Sequence, residues 1–381
     1  MARTYRVALY FNLALVHHQG MANGIIRYAR ERGNWELFGA YWPMYEVRDF
    51  RNWSGDGIIA AVETPEDIEM LTGAGVPVVD TSGAIVDPRL SLVTNDNVEI
   101  GRIGGAHLAD TGLERFAFCA AEGSLWSEER LRGFSEATGA GGANLAVFGK
   151  SVGWWHSPEF SRELASFLVK RRRPFGLMAA NDIIGANVIG ACRMAGLRIP
   201  DDVAVVSVDN EELLCELSQP PMSSIPFNRH EIGFHSAERL DVLMRGLLPS
   251  MPALRVKPMA LVERASSSVI AVADPLVAAA LSLIRGQATS NLSAGDVAGR
   301  LYTSRRNLER RFREQVGRTM LEEIHRTRIK HAKRLLRNDD LSIKKISALS
   351  GFRTVDRFTS IFTRYAGLPP KEYRDANAAP L

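Results

Sequence analysis

Over the first 270 residues, short runs of aliphatic and β-branched residues alternate with stretches in which apolar positions recur every three or four residues. The runs at 6–10, 35–40, 57–61, 77–79, 90–93, 116–120, 146–148, 176–179 and 203–208 predict strands, and those at 17–32, 98–110, 128–137, 159–170 and 183–195 predict helices. Strands that are apolar on both faces and separated by helices imply parallel sheets covered on either side. Nine of them suit two sheets better than one. The segments 181–196 and 226–247 then read as helices of a second lobe, with crossovers joining the lobes.

Beyond residue 274 the period is 3.6 throughout and no strand is predicted. Asp274 ahead of Pro275 reads as an N-cap with proline at the first helical position, where its missing N–H costs nothing. The polar run Ala265-Ser-Ser-Ser268 just before it reads as linker. Two domains are therefore expected: 1–270, an α/β unit of two lobes, and 275–381, an all-α unit. In the second, Ser293 with Asp296 makes a capping box. Val297, Ala298 and Leu301 supply a buried face, Tyr302 and Thr303 a turn, and Ser304 caps a helix that buries Leu308 and Phe312. The pattern returns from Ser342, with Ile343, Ile346 and Ala348 inward, a turn at Gly351 and Phe352, and a helix over 354–365 burying Phe358 and Phe362. A helix over 320–336, about 25 Å long at 1.5 Å per residue, would space these two helix-turn-helix units by roughly one 34 Å turn of duplex.

Charge sharpens this division. Residues 1–274 carry 26 Lys+Arg against 33 Asp+Glu, a net of −7, and residues 275–381 carry 21 against 10, a net of +11. A basic module on an acidic body is the footprint of polyanion binding. Its charges alternate with core positions instead of forming a juxtamembrane block, which favours nucleic acid over a membrane surface. No apolar run approaches the roughly 20 residues of a membrane helix. The first apolar stretch runs into His17 and His18 rather than a cleavage site, and Cys119, Cys192 and Cys215 are too scattered for a disulfide scaffold or structural zinc. A cytoplasmic protein without metal or cofactor is the expectation.

Enzyme constellations are missing as well. Gly149-Lys150-Ser151 lacks the earlier glycine of a phosphate loop, Asn144 standing in its place, and Gly139-Ala-Gly-Gly142 follows a helix rather than a strand. His17 and His18 have no third ligand at a suitable spacing and read as histidines of a polar cleft, and no Gly-x-Ser-x-Gly elbow occurs.

The tail contains Ser304-x-Arg306-x-Leu308-x-Arg310-x-Phe312, Arg328-Ile-Lys-His-Ala-Lys-Arg-Leu-Leu336, Leu341-Ser-Ile-Lys-Lys-Ile, Gly351-Phe352, Phe358-x-x-x-Phe362 and Gly367-Leu-Pro-Pro-Lys-Glu-Tyr-Arg374. Over about 277–375 it resembles the double helix-turn-helix domain of the AraC family of transcription activators. Two positions depart from that pattern: Tyr302 stands where a small turn residue is usual, and Arg357 where an aromatic is usual. The body contains Arg130-Leu-x-Gly133-Phe134, Ala180-Asn181-Asp182, Pro200-Asp-Asp-Val-Ala-Val-Val and Val208-Asp209-Asn210. Over 5–264 it resembles the two-lobed, periplasmic-binding-protein-like sugar-sensing core of LacI/GalR regulators. The pair of resemblances implies a sugar-responsive transcription regulator whose partners are double-stranded operator DNA and a small sugar, D-xylose first, with L-arabinose, D-ribose or a hexose open. It further implies a homodimer and, for an activator, contact with RNA polymerase. A sugar-binding receptor or enzyme with an incidental basic tail is the alternative from another class.

Candidate site residues follow from chemistry and position. Ligands of parallel sheets sit where loops leave the carboxyl ends of strands, and Asn12, Asp96, Arg130, Asn181, Asp182 and Asp209 lie at such points or open the next helix. Carboxylates and a guanidinium offer bidentate partners to sugar hydroxyls, and Trp126, one turn before Arg130, offers an aromatic face, as Trp154 or Trp155 could. For base reading the candidates are Arg305, Arg306, Glu309 and Arg310 in the first unit and Thr354, Asp356, Arg357 and Ser360 in the second. Arginine pairs with guanine and acids accept from cytosine. Arg328, Lys330, Lys344, Lys345 and Lys371 are candidates for phosphate contact.

Overall fold

The computed structural model describes residues 3–41, 44–45, 50–141, 144–155, 157–247, 252–268, 274–290, 292–336 and 341–377. The chain divides into two compact units, Met1–Val269 and Ile270–Leu381.

The first unit opens with β1 (Tyr5–Tyr10), α1 (Val16–Arg32), β2 (Trp35–Tyr41), β3 (Met44–Tyr45), β4 (Gly57–Ala60), α2 (Pro65–Thr72), β5 (Val78–Asp80) and β6 (Ser91–Asn95). The chain then crosses to a second lobe. There lie α3 (Asn97–Ala109), β7 (Phe116–Ala121), α4 (Leu125–Thr138), β8 (Leu145–Lys150), α5 (Pro158–Val169), β9 (Phe175–Ala179), α6 (Asp182–Met194), β10 (Val203–Val208), α7 (Glu212–Leu217) and β11 (Ser223–Ile225). It returns for α8 (Arg229–Met244) and β12 (Leu254–Val256), and a last crossing brings 265–267 back against β10 and β11. The two sheets run β12-β6-β5-β4-β1-β2-β3 and β11-β10-β9-β7-β8, parallel except where β2 meets β3. Central strands such as Gly57–Ala60, Phe175–Ala179 and Val203–Val208 are buried along their whole length, as two covered faces require.

All nine expected strands are present. The segment 226–247 is a correction: its helix, α8, packs on α1 and on β4, β5 and β6, so it belongs to the first lobe. The strands β3, β11 and β12 give no hydrophobic run, being two or three residues long, with serines in β11 and Arg255 in β12. A second correction concerns 265–268. Ser266 and Ser267 are buried, and Ser266 Oγ donates to the Val205 carbonyl at 2.7 Å, so this serine run is docked on the second sheet rather than free. The rest of the expected linker, 269–273, lies outside the described residues.

Each lobe is closed by two helices that meet through glycine. A Cβ added at Gly133 of α4 would strike the Val98 carbonyl of α3, and one at Gly101 would strike the Arg130 carbonyl; Gly24 of α1 and Gly233 of α8 repeat the arrangement in the first lobe. Only a side chain of one hydrogen lets two backbones approach so closely.

The second unit is all helix among its described residues: α9 (Pro275–Gln287), α10 (Ala294–Arg300), α11 (Arg305–Val316), α12 (Met320–Leu336), α13 (Ile343–Leu349), α14 (Val355–Ala366) and α15 (Pro370–Asn377). Asp274, Ser293, Ser304, Ser342 and Thr354 each cap the helix that follows with a side-chain oxygen. Leu308 and Phe312 fill one small core and Phe358 and Phe362 another. In α13 Ser347 is buried and Ala348 exposed, reversing the expected inward alanine: Ile346, with Ile343 partly buried beside it, supplies the apolar contact, and Ser347 turns to the Thr354 carbonyl.

Replacing Gly133 by alanine is expected to lower stability by about 1–3 kcal/mol, the range for overpacking a tight contact. Chemical denaturation of Gly133→Ala beside Gly139→Ala tests this. Gly139 has open space around it but φ of 61°, so its variant should lose only about 1 kcal/mol.

Candidate functional site

Parallel strands end together at the seam between the lobes of the first unit, and the charged residues of the sequence collect there. Arg130, on α4, is buried; its Nε donates to Asn97 Oδ1 at 3.0 Å and its Nη1 to the Ala180 carbonyl. Its guanidinium lies 4.7 Å from the centre of the Trp126 ring, so one face of that indole is already covered. Burial works against the charge on Arg130, and the carboxylates of Asp209, Asp182 and Glu129 sustain it.

Asp182 opens α6 with no exposed surface. Its Oδ1 accepts from Ser224 Oγ at 2.6 Å and its Oδ2 from the Glu211 amide at 2.8 Å. Asp209 stands at the end of β10 with φ of 107°, and Asn210 follows at 48°. Two consecutive non-glycine residues in this region are uncommon and mark a loop held by its surroundings. Burial raises the Asp209 carboxyl pKa, and Arg130, His17 and Arg229 oppose the shift. Burial and the nearby Asp209 raise that of Asp182. The structure thus brings Trp126, Arg130, Asp182 and Asp209 into one cluster.

The remaining candidates are placed differently. Asn181 Oδ1 caps α6 through the Ile184 amide, and Asp96 Oδ1 caps α3 through the Glu99 amide. Asn12 is exposed at the end of β1, its Oδ1 accepting from the Ala14 amide. Trp155 is buried and donates to the Lys150 carbonyl, whereas Trp154 is exposed with the Lys150 ammonium 5.3 Å from its ring.

Five residues absent from the candidate set complete the seam. Asn97 joins Arg130 to Glu129, which Arg255 of β12 grips in two hydrogen bonds of 2.7 and 2.8 Å. Glu211 faces His17 across the lobes, Glu211 Oε1 to His17 Nδ1 being 3.7 Å. Arg229 donates to the Asp209 and Asn210 carbonyls. Asn97 and Glu129 each adjoin a candidate residue and were legible as neighbours, and Glu211 lies two residues from Asp209; Arg229 had no signal beyond opening a helix. His18 is buried beside Phe11 and His17, with Nδ1 3.1 Å from the Asn12 backbone. Burial and His17 pull its pKa down to about 4.

In the second unit Arg305, Arg306, Glu309, Arg310, Arg313 and Glu314 line an open groove along α11. On α14, Asp356, Arg357 and Ser360 are exposed, and Thr354 caps the helix by accepting from the Arg357 amide. Tyr302 is wholly exposed at φ of 51°, in the turn between α10 and α11. Lys344, Lys345 and Lys371 are exposed. Arg328 is not a phosphate contact. It is buried, with Nε donating to the Ala288 carbonyl at 2.8 Å and Nη2 to that of Leu292 at 3.0 Å, and its guanidinium lies 5.7 Å from the Phe352 ring. Among the described residues no group of three or more His, Cys, Asp or Glu is placed to hold a metal, and no helix is long and apolar enough to cross a membrane.

These two surfaces agree with what the chain is similar to. Family models match an N-terminal domain named for XylR over residues 6–98, a periplasmic binding protein-like domain over 106–267 and a helix-turn-helix domain over 297–376. A xylose operon regulatory protein of Haemophilus influenzae is 30% identical over 97% of this chain and 98% of its own length. The chain belongs to the xylose operon regulator family. The Escherichia coli K12 member is 27% identical over 99% and 98% of the two chains. A solved structure of the xylose-binding transcription activator XylR superposes with a TM-score of 0.70, at 27% identity, covering 99% of this chain and all of that one. The CelR–cellobiose complex covers 70% of this chain with a TM-score of 0.57 at 25% identity.

The regulator is therefore a sugar-responsive, DNA-binding transcription regulator of the LacI/GalR type, and not an enzyme. This corrects the AraC-family assignment drawn from the tail. The tail matches a model described only as a helix-turn-helix domain, and the relatives that match end to end set the family.

Three outcomes are expected. His18 is neutral when folded and protonated when unfolded between pH 6.5 and about 4, so its contribution is present above pH 6.5 and is lost as pH falls through 4. His18→Gln should flatten the acid limb of the stability profile by about 3 kcal/mol, read as urea midpoints at pH 7 and pH 4. Arg328→Met, leaving two buried carbonyls unpaired, should lower stability by about 2–4 kcal/mol. Lys344→Ala should leave the melting temperature unchanged and reduce the salt slope of DNA binding by about 1.

Proposed function

We propose that this regulator senses D-xylose and activates genes for its use. The cluster of Arg130 and Asp209 carries the reading. It places a guanidinium and a carboxylate of the second lobe at the seam, near His17 of the first, which is the chemistry that grips vicinal hydroxyls. The end-to-end relatives are named for the xylose operon, and a solved structure that also matches end to end is that of a xylose-binding activator, which supports the choice of sugar and of sign.

In this mechanism a sugar held by Arg130 and Asp209, with Trp126, Asn181, Asp182, Asp96 and Asn12 in or supporting the pocket, favours the lobes closed on one another. A ligand moves such an equilibrium only by its differential affinity for the two states. The sensing domain, 1–270, passes this state to the DNA-binding domain, 275–381. There Arg305, Arg306, Glu309 and Arg310 read one major-groove segment, and Thr354, Asp356, Arg357 and Ser360 the next. A homodimer engages two half-sites of cytoplasmic operator DNA and, as an activator, contacts RNA polymerase.

Calorimetric titration of the full chain with D-xylose, L-arabinose, D-ribose and D-glucose tests the effector. D-xylose alone is expected to bind, and Asp209→Asn, which keeps the loop's shape and removes the charge, should weaken it at least about tenfold. Binding of another sugar with no response to D-xylose would overturn the choice of effector.

A further inference from the structure

Three consecutive residues after β10 face three different ways. Asp209 feels the charge of Arg130 of its own lobe, and Glu211 lies 3.7 Å from His17 of the other. Asn210 turns its side chain away from both, and its Oδ1 accepts from Arg264 Nη1 at 2.9 Å. The positive φ at both Asp209 and Asn210 is what sends neighbouring side chains to opposite sides of so short a loop.

Arg264 is buried, an unusual place for an arginine. Its Nη1 also donates to the Met222 carbonyl at 3.0 Å and its Nε to Glu216 Oε1 at 2.8 Å, so one guanidinium ties the sugar-site loop to α7 and to the residue before β11. Its backbone is fastened to the same strand. The Arg264 amide donates to Ser223 Oγ at 2.7 Å, Val262 pairs with Ser224 in both directions, and Ser266 Oγ accepts from the Ser223 amide at 2.8 Å. Ser224, in turn, accepts the Asn210 amide on Oγ and donates to Asp182. This segment is the last described stretch before Asp274, where the DNA-binding unit's first helix is capped.

We infer that Arg264 is a positioning residue that relays the state of the sugar-site loop to the chain segment entering the DNA-binding unit, through its hydrogen bond to Asn210. The inference rests on the sugar-responsive reading given above and adds the route. When Asp209 and Glu211 change partners on sugar binding, Asn210 cannot turn without pulling on Arg264. A side chain buried among fixed carbonyls and Glu216 then passes the movement to its own backbone.

Asn210→Gly tests the relay while sparing the fold, because glycine accepts a φ of 48° without strain and only the amide side chain is lost. Arg264→Gln is the companion variant, with a melting curve for each. For the full-length chain at fixed salt, two quantities are measured: D-xylose affinity by calorimetry, and the ratio of operator affinities with and without D-xylose. In the wild type that ratio should lie in the roughly 5- to 150-fold range of allosteric couplings. In Asn210→Gly it should fall toward one while sugar affinity and sugar-free operator affinity stay within about threefold of wild type. By linkage, operator DNA should raise or lower D-xylose affinity in the wild type and leave it unmoved in the variant. A wild-type ratio retained in Asn210→Gly overturns the relay alone. Loss of sugar binding together with the ratio overturns it too, by placing Asn210 in the sugar site. A wild-type chain that binds D-xylose with no change in operator affinity overturns the responsive reading and the relay with it.

Discussion

A carboxylate with no exposed surface must be satisfied by donors in its own neighbourhood, and the sensing unit is arranged around that requirement at Asp182. Its donors come from the loop after β10 and from β11, so one side chain fixes the ends of three strands against one another. The loop at Asp209 and Asn210 holds its left-handed backbone because Asp182 takes the Glu211 amide and Ser224 takes that of Asn210. Asp209 and burial raise the proton affinity of Asp182, and the buried guanidinium of Arg130 opposes the rise that burial causes at Asp209. A polar ligand entering there meets groups already oriented and already in tension.

Much of this was legible from the residues. The nine strands and the main helices follow from periodicity, and the caps at Asp274, Ser293, Ser304, Ser342 and Thr354 follow from residue type and spacing. What escaped was decided by long-range contact. The helix 229–244 looks alike whichever lobe it joins, and only its packing on α1 places it in the first. A serine run reads as linker unless strands too short to show a period, β10's neighbour β11 among them, wait to bind it. Arg328 carries the same letter as the exposed arginines of α11, and nothing in its spacing reveals that two carbonyls of another helix end lie within reach. In the site, Asp209 was found because it follows a strand, and Arg130, which lies inside α4, because it opens a motif of the LacI/GalR resemblance. Asn210, Arg229 and Arg264 were not, since their roles depend on which backbone they approach.

The two units place their charges by opposite rules. In the sensor the decisive ions are buried and paired, as Arg130 with its carboxylates and Arg264 with Glu216, so their effect is local and nearly independent of salt. In the second unit the arginines of α11 and α14 stand in solvent, where their attraction for a polyanion reaches further and is screened by ions. The first arrangement discriminates among small neutral molecules; the second finds a long charged one and leaves discrimination to a few side chains at the base edges.

The buried Arg328 sets a different kind of limit. It clamps the middle of α12 to the end of α9 while lying against Phe352 of the other half, so the two small cores share one brace. Two readers mounted on one brace act as a ruler. Duplex DNA turns once in about 10.5 base pairs, so a single base pair added between the two segments they read rotates one away from its reader by about a tenth of a turn. On the proposed reading, in which α11 and α14 each enter a groove, the spacing of the operator is constrained as well as its letters, by a residue buried away from it.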